Sequence, residues 1–156
     1  MINVLFVCLG NICRSPMAEA VFKDLVAKAG LSAEFSIDSV GTSDYHIGQP
    51  PHWGTQRILL TYGVPWEGAA RQLTRAELRH TDYIIAMDRS NLADIQDLAR
   101  GLSLERRAFL LLDFAKGTKL RDVPDPYYND NFEEVYHLVL EGCRGLLAHI
   151  RRENGL

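Results

Sequence analysis

The sequence predicts an α/β fold, a doubly wound four-stranded parallel sheet with helices on both faces in a single domain, and three observations carry that expectation. Strand-like runs at 2–7, 34–40, 82–87 and about 107–112 alternate with helix-patterned stretches at 16–29, 52–62, 89–99 and 131–152, the rhythm of linked β-α-β units. The run Ile84-Ile85-Ala86-Met87 is continuously apolar, as suits a parallel strand buried on both faces rather than one with a wet side. A length of 156 residues with 47% hydrophobic and 24% charged content suffices for one core, so 1–156 reads as one domain.

Taken in order, Ile2 to Val7 are almost all β-branched or large and apolar, and they deliver Cys8 to the end of the first strand. Leu9, Gly10, Asn11, Ile12, Cys13, Arg14 and Ser15 then form a strand-to-helix loop. Ser15 is suited to cap the following helix, Pro16 to its first position and Glu19 to its first turn. A helix start leaves its first N–H donors unpaired, and a phosphate would satisfy them. His46 and His52 flank a Pro-containing loop and read as solvated. In the last helical stretch Phe132, Val135, Val139, Cys143, Leu146 and Ile150 recur every three or four residues, which makes one apolar face and places Cys143 in the core. In an open sheet of this kind, ligands bind beyond the carboxyl ends of the strands where the strand order reverses, and Cys8 lies at such an end.

Cys8 and Arg14 thus stand at the two ends of one anion-sized loop. The positive end of a helix, a nest of N–H donors and a guanidinium all favour thiolate over thiol, so Cys8 is the expected nucleophile. Arg14 has a planar fork that can hold two oxygens of a phosphoryl group and stay charged throughout. A cysteine that ends a buried strand is otherwise a small hydrophobe; the strand before and the helix after are what favour chemistry. Asp125 lies in Val123-Pro124-Asp125-Pro126-Tyr127-Tyr128, where the following proline biases it toward an extended backbone. On residue statistics alone, that Asp-Pro pair reads as a turn. Asp122 and Asp130 read as solvated acids.

Several function classes fall away. A lone Gly10 is no dinucleotide fingerprint, and no lysine follows as in a P-loop ATPase. Four residues separate Cys8 from Cys13, and no other Cys/His cluster completes a zinc tetrahedron, so no metal is expected. A net charge of −3 without a basic stripe points away from nucleic acid and anionic membranes. The first apolar stretch is too short to span a bilayer and has no basic leader, and an odd count of three cysteines suits a reducing compartment; a cytoplasmic protein is expected.

The run Cys8-x5-Arg14-Ser15 resembles the signature of the low-molecular-weight protein tyrosine phosphatases, and the likeness runs nearly end to end. It continues in Met17-Ala18-Glu19-Ala20, Asp38-Ser39-Val40-Gly41-Thr42, Ala70-Arg71-Gln72, Met87-Asp88-Arg89-Ser90-Asn91 and Asp125-Pro126-Tyr127-Tyr128. The resemblance, closest to bacterial-type members, implies catalytic Cys8, Arg14 and Asp125, a phosphate-binding loop over Leu9–Ser15, and a phosphocysteine intermediate. Asp125 would be general acid and then base, and no cofactor is implied. Loop support would come from Asn11, Ser15 and Ser39, and pocket walls from Ile12, Tyr45 and Tyr127. The implied substrates are phosphotyrosine proteins or small aryl phosphates, acted on by a monomer. Cys13 is an expected redox partner that could capture an oxidised Cys8, with passive packing as the alternative. Tyr127 and Tyr128 resemble a tyrosine pair that is itself phosphorylated in some members. Many eukaryotic members carry a histidine in the Asn11 network where this chain has Gly68, which leaves the bracing of Asn11 open. Three other readings stay open: a protein-arginine phosphatase, in whose loop threonine is typical where Ile12 stands; a thioredoxin-coupled arsenate reductase, which needs two further cysteines close together; and a non-catalytic phosphotyrosine-binding module.

Overall fold

Val4, Phe6 and Cys8 pack to one side of the first strand and Leu5 and Val7 to the other, and that alternation organises the whole molecule. The computed structural model describes every residue from Met1 to Leu156. Its sheet contains β1 (Ile2–Cys8), β2 (Phe35–Gly41), β3 (Tyr83–Ala86) and β4 (Ala108–Leu110), all parallel, in the order β2-β1-β3-β4. The larger core lies between the sheet and α1 (Arg14–Lys28) and α6 (Phe132–Asn154), with α2 (Trp53–Thr61) at its edge. On the opposite face Leu78 of α3 (Arg75–His80) and Ile95 of α4 (Arg89–Leu98) cover Leu5, Val7, Ile84 and Ala86. With both faces covered, the apolar run of β3 is explained: all four of its residues are buried. No helix is long and apolar enough to cross a membrane.

From β1 the chain crosses to β2 on one side and then returns to β3 on the other, so the order reverses beside the carboxyl end of β1, where Cys8 sits. Gly41, paired with Cys8 at the end of β2, is needed there: a Cβ would lie 2.8 Å from the Leu9 carbonyl oxygen and 3.1 Å from the Gly10 carbonyl carbon. The loop after β1 is therefore laid directly against β2.

Three expectations need correction. Helix α1 starts at Arg14, with Cys13 in the capping position and no side-chain cap, and no acid occupies its first turn. Ser15 does not cap because its hydroxyl is committed to Cys8 and Asn11, and Pro16 is tolerated at the third position, within the first turn, because early N–H groups have no acceptor there anyway. The fourth strand ends at Leu110, two residues short of the expected run; the chain turns through a 3₁₀ segment, Leu111–Phe114, that packs on α6. Two short helices, α3 and α5 (Pro126–Asn129), fall where none was expected.

Candidate active site

The loop from Cys8 to Arg14 is held from outside through its carbonyls. The amide of Thr42 donates to the Cys8 carbonyl (2.9 Å), that of Ser43 to Leu9 (3.0 Å) and that of His52 to Ile12 (2.7 Å). The Thr55 hydroxyl donates to the Cys13 carbonyl at 3.1 Å. With the acceptors turned outward, the donors turn inward. The Asn11 amide points at Cys8 Sγ, 3.3 Å away, and no protein group accepts from the amides of Leu9, Gly10, Ile12 or Cys13. A ring of unpaired N–H groups around a sulfur is an anion site by construction.

Asn11 makes this shape possible. Its φ of 56° is a left-handed conformation that a non-glycine residue holds only when its surroundings over-determine it. They do: Nδ2 donates to Ser15 Oγ (2.8 Å) and to Ser39 Oγ (3.0 Å), and Oδ1 accepts from the Arg71 amide (3.1 Å). The bracing left open by Gly68 is thus complete without a side chain there. It also reaches further than the sequence suggested, because the Ser39 hydroxyl donates to Glu19 (2.6 Å), which receives a second hydrogen bond from Lys23 (2.6 Å). Burial works against the Lys23 charge, but Glu19 overrides it and holds the ammonium above its ordinary value. Ser15 Oγ lies 3.0 Å from Cys8 Sγ and accepts from Asn11; its proton has two acceptors in reach, the Val40 carbonyl at 3.4 Å and the sulfur, and a thiolate is the nearer and the charged one.

Arg14 is 97% buried, with 3% of its side chain exposed. Nη1 donates to Asp88 (2.6 Å) and to the Val123 carbonyl (3.0 Å), while Nη2 faces Asp125 at 3.4 Å. Burial would lower its proton affinity, but Cys8, Asp88 and Asp125 more than offset this and hold it above its ordinary value. Asp88, like Glu19, was assigned no part in the candidate site by the sequence. One of its oxygens caps α4 through the Asn91 amide (2.7 Å), leaving the other for Arg14. Its readable signal was the capping position before Arg89-Ser90-Asn91; the partner, 74 positions away, had none.

Asp125 has the expected extended backbone (φ −85°, ψ 110°) and caps α5 through the Tyr127 amide at 3.1 Å. Its carboxylate shares a cavity of about 40 Å³ with Cys8, Cys13 and Arg14, walled by Ile12, Tyr45 and Tyr127 among others. That is room for about three waters or one small anion in their place. Concavities ten times larger lie along the outer side of α1 (about 450 Å³), but their linings hold no cysteine, so chemistry rather than size marks the candidate site. Nor does any cluster of His, Cys, Asp or Glu have the makings of a metal centre.

The remaining candidates fall into place differently than expected. His46 and His52 are not simply solvated: both rings pack 5.9 Å from Tyr127, and His52 also caps α2 by accepting from the Gly54 amide. Asp122 is an ion-pair partner of Arg89 (2.9 Å), whose hydrogen bond holds the carboxyl below its usual range. Cys143 is fully buried, and burial pushes its thiol up. Cys13 is pushed up to about 12 by burial, then by Cys8 and Asp125. A thiol that titrates at 9.0 when unfolded and near 12 when folded favours the fold fully below pH 9 and loses that contribution as pH rises toward 12. Calorimetry is expected to show Tm falling across that window, less steeply in Cys13→Ser.

A family model described as low molecular weight phosphotyrosine protein phosphatase matches residues 3–155. The chain is 52% identical to the low molecular weight protein-tyrosine-phosphatase YfkJ of Bacillus subtilis over the full length of both, and 43% identical to PtpA of Staphylococcus epidermidis, covering 100% of this chain and 98% of that protein. The crystal structure of YfkJ superposes with a TM-score of 0.95, covering 99% of this chain and 97% of that one. A Drosophila arginine phosphatase also superposes, with a TM-score of 0.88 and 33% identity over 95% of this chain and 97% of that one.

Proposed function

The chain belongs to the low molecular weight phosphotyrosine protein phosphatase family, and from that premise we propose that it hydrolyses phosphotyrosine in proteins, and small aryl phosphates, through a phosphocysteine on Cys8. The observation that carries the reading is the ring of unpaired amides around Cys8 Sγ, with a buried arginine at its end.

In the first step Cys8 Sγ attacks phosphorus in line and the P–O bond to the ring breaks, while the Asp125 carboxyl gives its proton to the departing phenolate oxygen. The loop amides and the Nη2 side of Arg14 stabilise the equatorial oxygens as charge spreads over them. In the second step the Asp125 carboxylate takes a proton from water, whose oxygen attacks phosphorus. The P–S bond breaks, and the sulfur leaves as a thiolate received by the Asn11 amide and the Ser15 hydroxyl. Every group comes from one chain, so a monomer suffices. A cytoplasmic setting would keep the three free thiols reduced.

Ile12, Tyr45 and Tyr127 suit an aromatic leaving group, and bulky Ile12 favours tyrosine over arginine. The arsenate-reductase reading is disfavoured because Cys143, the one remaining thiol, is fully buried. Cys13 is a redox partner in this reading. Peroxide converts the Cys8 thiolate to a sulfenic acid; Cys13, whose burial makes its proton hard to lose and the step slow, attacks that sulfur as a thiolate, and its proton leaves with the expelled hydroxide as water, giving a disulfide that dithiothreitol reduces. Irreversible inactivation by peroxide in the wild type would remove that role.

The deciding experiment measures phosphate release from matched phosphotyrosine, phosphoarginine and phosphoserine peptides, with Asp125→Asn alongside. Tyrosine-selective release, cut by about 10²–10⁴-fold in Asp125→Asn, is expected. Release chiefly from phosphoarginine overturns the reading of Ile12, and binding without release favours the module. Glu19→Gln removes the charge that terminates the Ser39–Asn11–Ser15 chain. It is expected to lower kcat about tenfold with little change in KM, since a hydrogen bond to a charged group contributes roughly 1.5–3 kcal/mol; an unchanged kcat would show that Asn11 holds the loop without it.

A further inference from the structure

A strip of aromatic rings leads outward from the mouth of the catalytic cavity. Tyr127 at the rim packs against His52 (5.9 Å), and His52 packs against Trp53 (5.5 Å), a residue that is 60% exposed. Lone exposed apolar residues are ordinary, but Trp53 is neither isolated nor loosely held. His52 beneath it lies flat on Phe132 (5.1 Å, 18°). The His52 amide donates to the Ile12 carbonyl, so the segment carrying Trp53 is tied directly to the loop around Cys8. The next residue is a glycine because a Cβ at Gly54 would run into the Phe132 ring, which seats the first turn of α2 flush against α6. The result is a large, rigid, amphipathic ring held in fixed register with the nucleophile, the type of side chain that anchors a partner at low entropic cost.

We propose that Trp53 is a second anchoring point for protein substrates and selects those with a large apolar residue two or four positions from the phosphotyrosine. The proposal rests on the phosphotyrosine reading above and names a substrate class for it. The spacing follows from the two ring-to-ring steps between Tyr127 and Trp53, which bound the reach from above: an extended peptide advances about 3.3 Å per residue and presents every second side chain to the same face, so side chains two or four positions away meet Trp53 while the phosphotyrosine enters the cavity. The occupant is a substrate segment because the strip is continuous with the cavity: it offers a chain whose phosphotyrosine fills the cavity an apolar path away from the mouth.

The test compares kcat/KM for p-nitrophenyl phosphate and for phosphotyrosine peptides in which one leucine is moved through the four positions on either side of the phosphotyrosine in a polar background. In the wild type one placement is expected to raise kcat/KM about tenfold, mainly through KM. Trp53→Ala should erase that preference while p-nitrophenyl phosphate changes less than about twofold, and Trp53→Phe should retain most of it. No preference in the wild type, or a preference that survives Trp53→Ala, overturns the proposal. Should Trp53→Ala also lose p-nitrophenyl phosphate turnover, the decision passes to fluorescence of Trp66→Phe in a Cys8→Ser background, where Trp53 is the sole tryptophan: its emission must shift on binding the preferred peptide, and an unmoved spectrum overturns the proposal. A wild type that hydrolyses none of these compounds overturns the phosphatase reading itself, and this one with it.

Discussion

Cys8→Ser is expected to release phosphate from aryl phosphates and phosphotyrosine peptides at least about 10⁴-fold more slowly than the wild type, while still binding inorganic phosphate. The two halves of this expectation have separate causes. A serine hydroxyl is not ionised near neutral pH, cannot hand its proton to Asp125 because that carboxyl must be protonated to serve the leaving oxygen in the same step, and as an alkoxide would be a poor leaving group when water attacks. Binding depends on other groups: the amides of Leu9, Gly10, Ile12 and Cys13 and the Arg14 fork stay where they are, because Asn11, Ser39 and the outward-turned carbonyls hold the loop. Phosphate release by stopped assay and phosphate binding by calorimetry separate the two. Loss of both would mean that the sulfur helps to shape the loop, and undiminished release would remove Cys8 from the chemistry.

The sequence made the parts with dense local signals readable. β1, the loop after it and the long apolar face of α6 each carry several residues that agree on one conformation, and the burial of Val135, Val139, Cys143, Leu146 and Ile150 follows that pattern. Helix α3 was missed because six residues are too short for periodicity; the signal available was the Thr74–Glu77 capping box, which the structure forms in full. The start of α1 was misread for a functional reason. Ser15 looks like a cap, and it is diverted from capping because its hydroxyl serves Cys8. Glu19 and Asp88 were invisible as site residues for one shared reason: each acts through partners brought together only by the fold, Ser39 on β2 for Glu19 and Arg14 on α1 for Asp88. Local sequence reveals the groups that touch a ligand more readily than those that hold these groups in place.

That division can be measured at Arg14, where one side chain does both. Its Nη1 is spent on Asp88 and the Val123 carbonyl, deep in the protein, and its Nη2 is the looser arm, 3.4 Å from Asp125 and facing the cavity. Arg14→Lys keeps a positive charge but offers a single point in place of a fork, so it can satisfy Asp88 or the phosphoryl oxygens and not both. We expect kcat to fall about 10³-fold or more, the range lost when an arginine is withdrawn from a transferring phosphoryl group, with only a modest loss of Tm. Arg14→Ala should be as inactive and also much less stable, by about 3 kcal/mol, because it leaves Asp88, whose side chain is only 20% exposed, without its counter-charge. Asp88→Asn should show the opposite balance. Its amide can still cap α4 through its oxygen, while the guanidinium, released from one side, is free to swing; KM for aryl phosphate then rises before stability fails. If Arg14→Lys retained most of its kcat, the fork would be dispensable and the amides alone would have to carry the transition-state charge. Urea denaturation run beside steady-state kinetics on the three variants separates these outcomes.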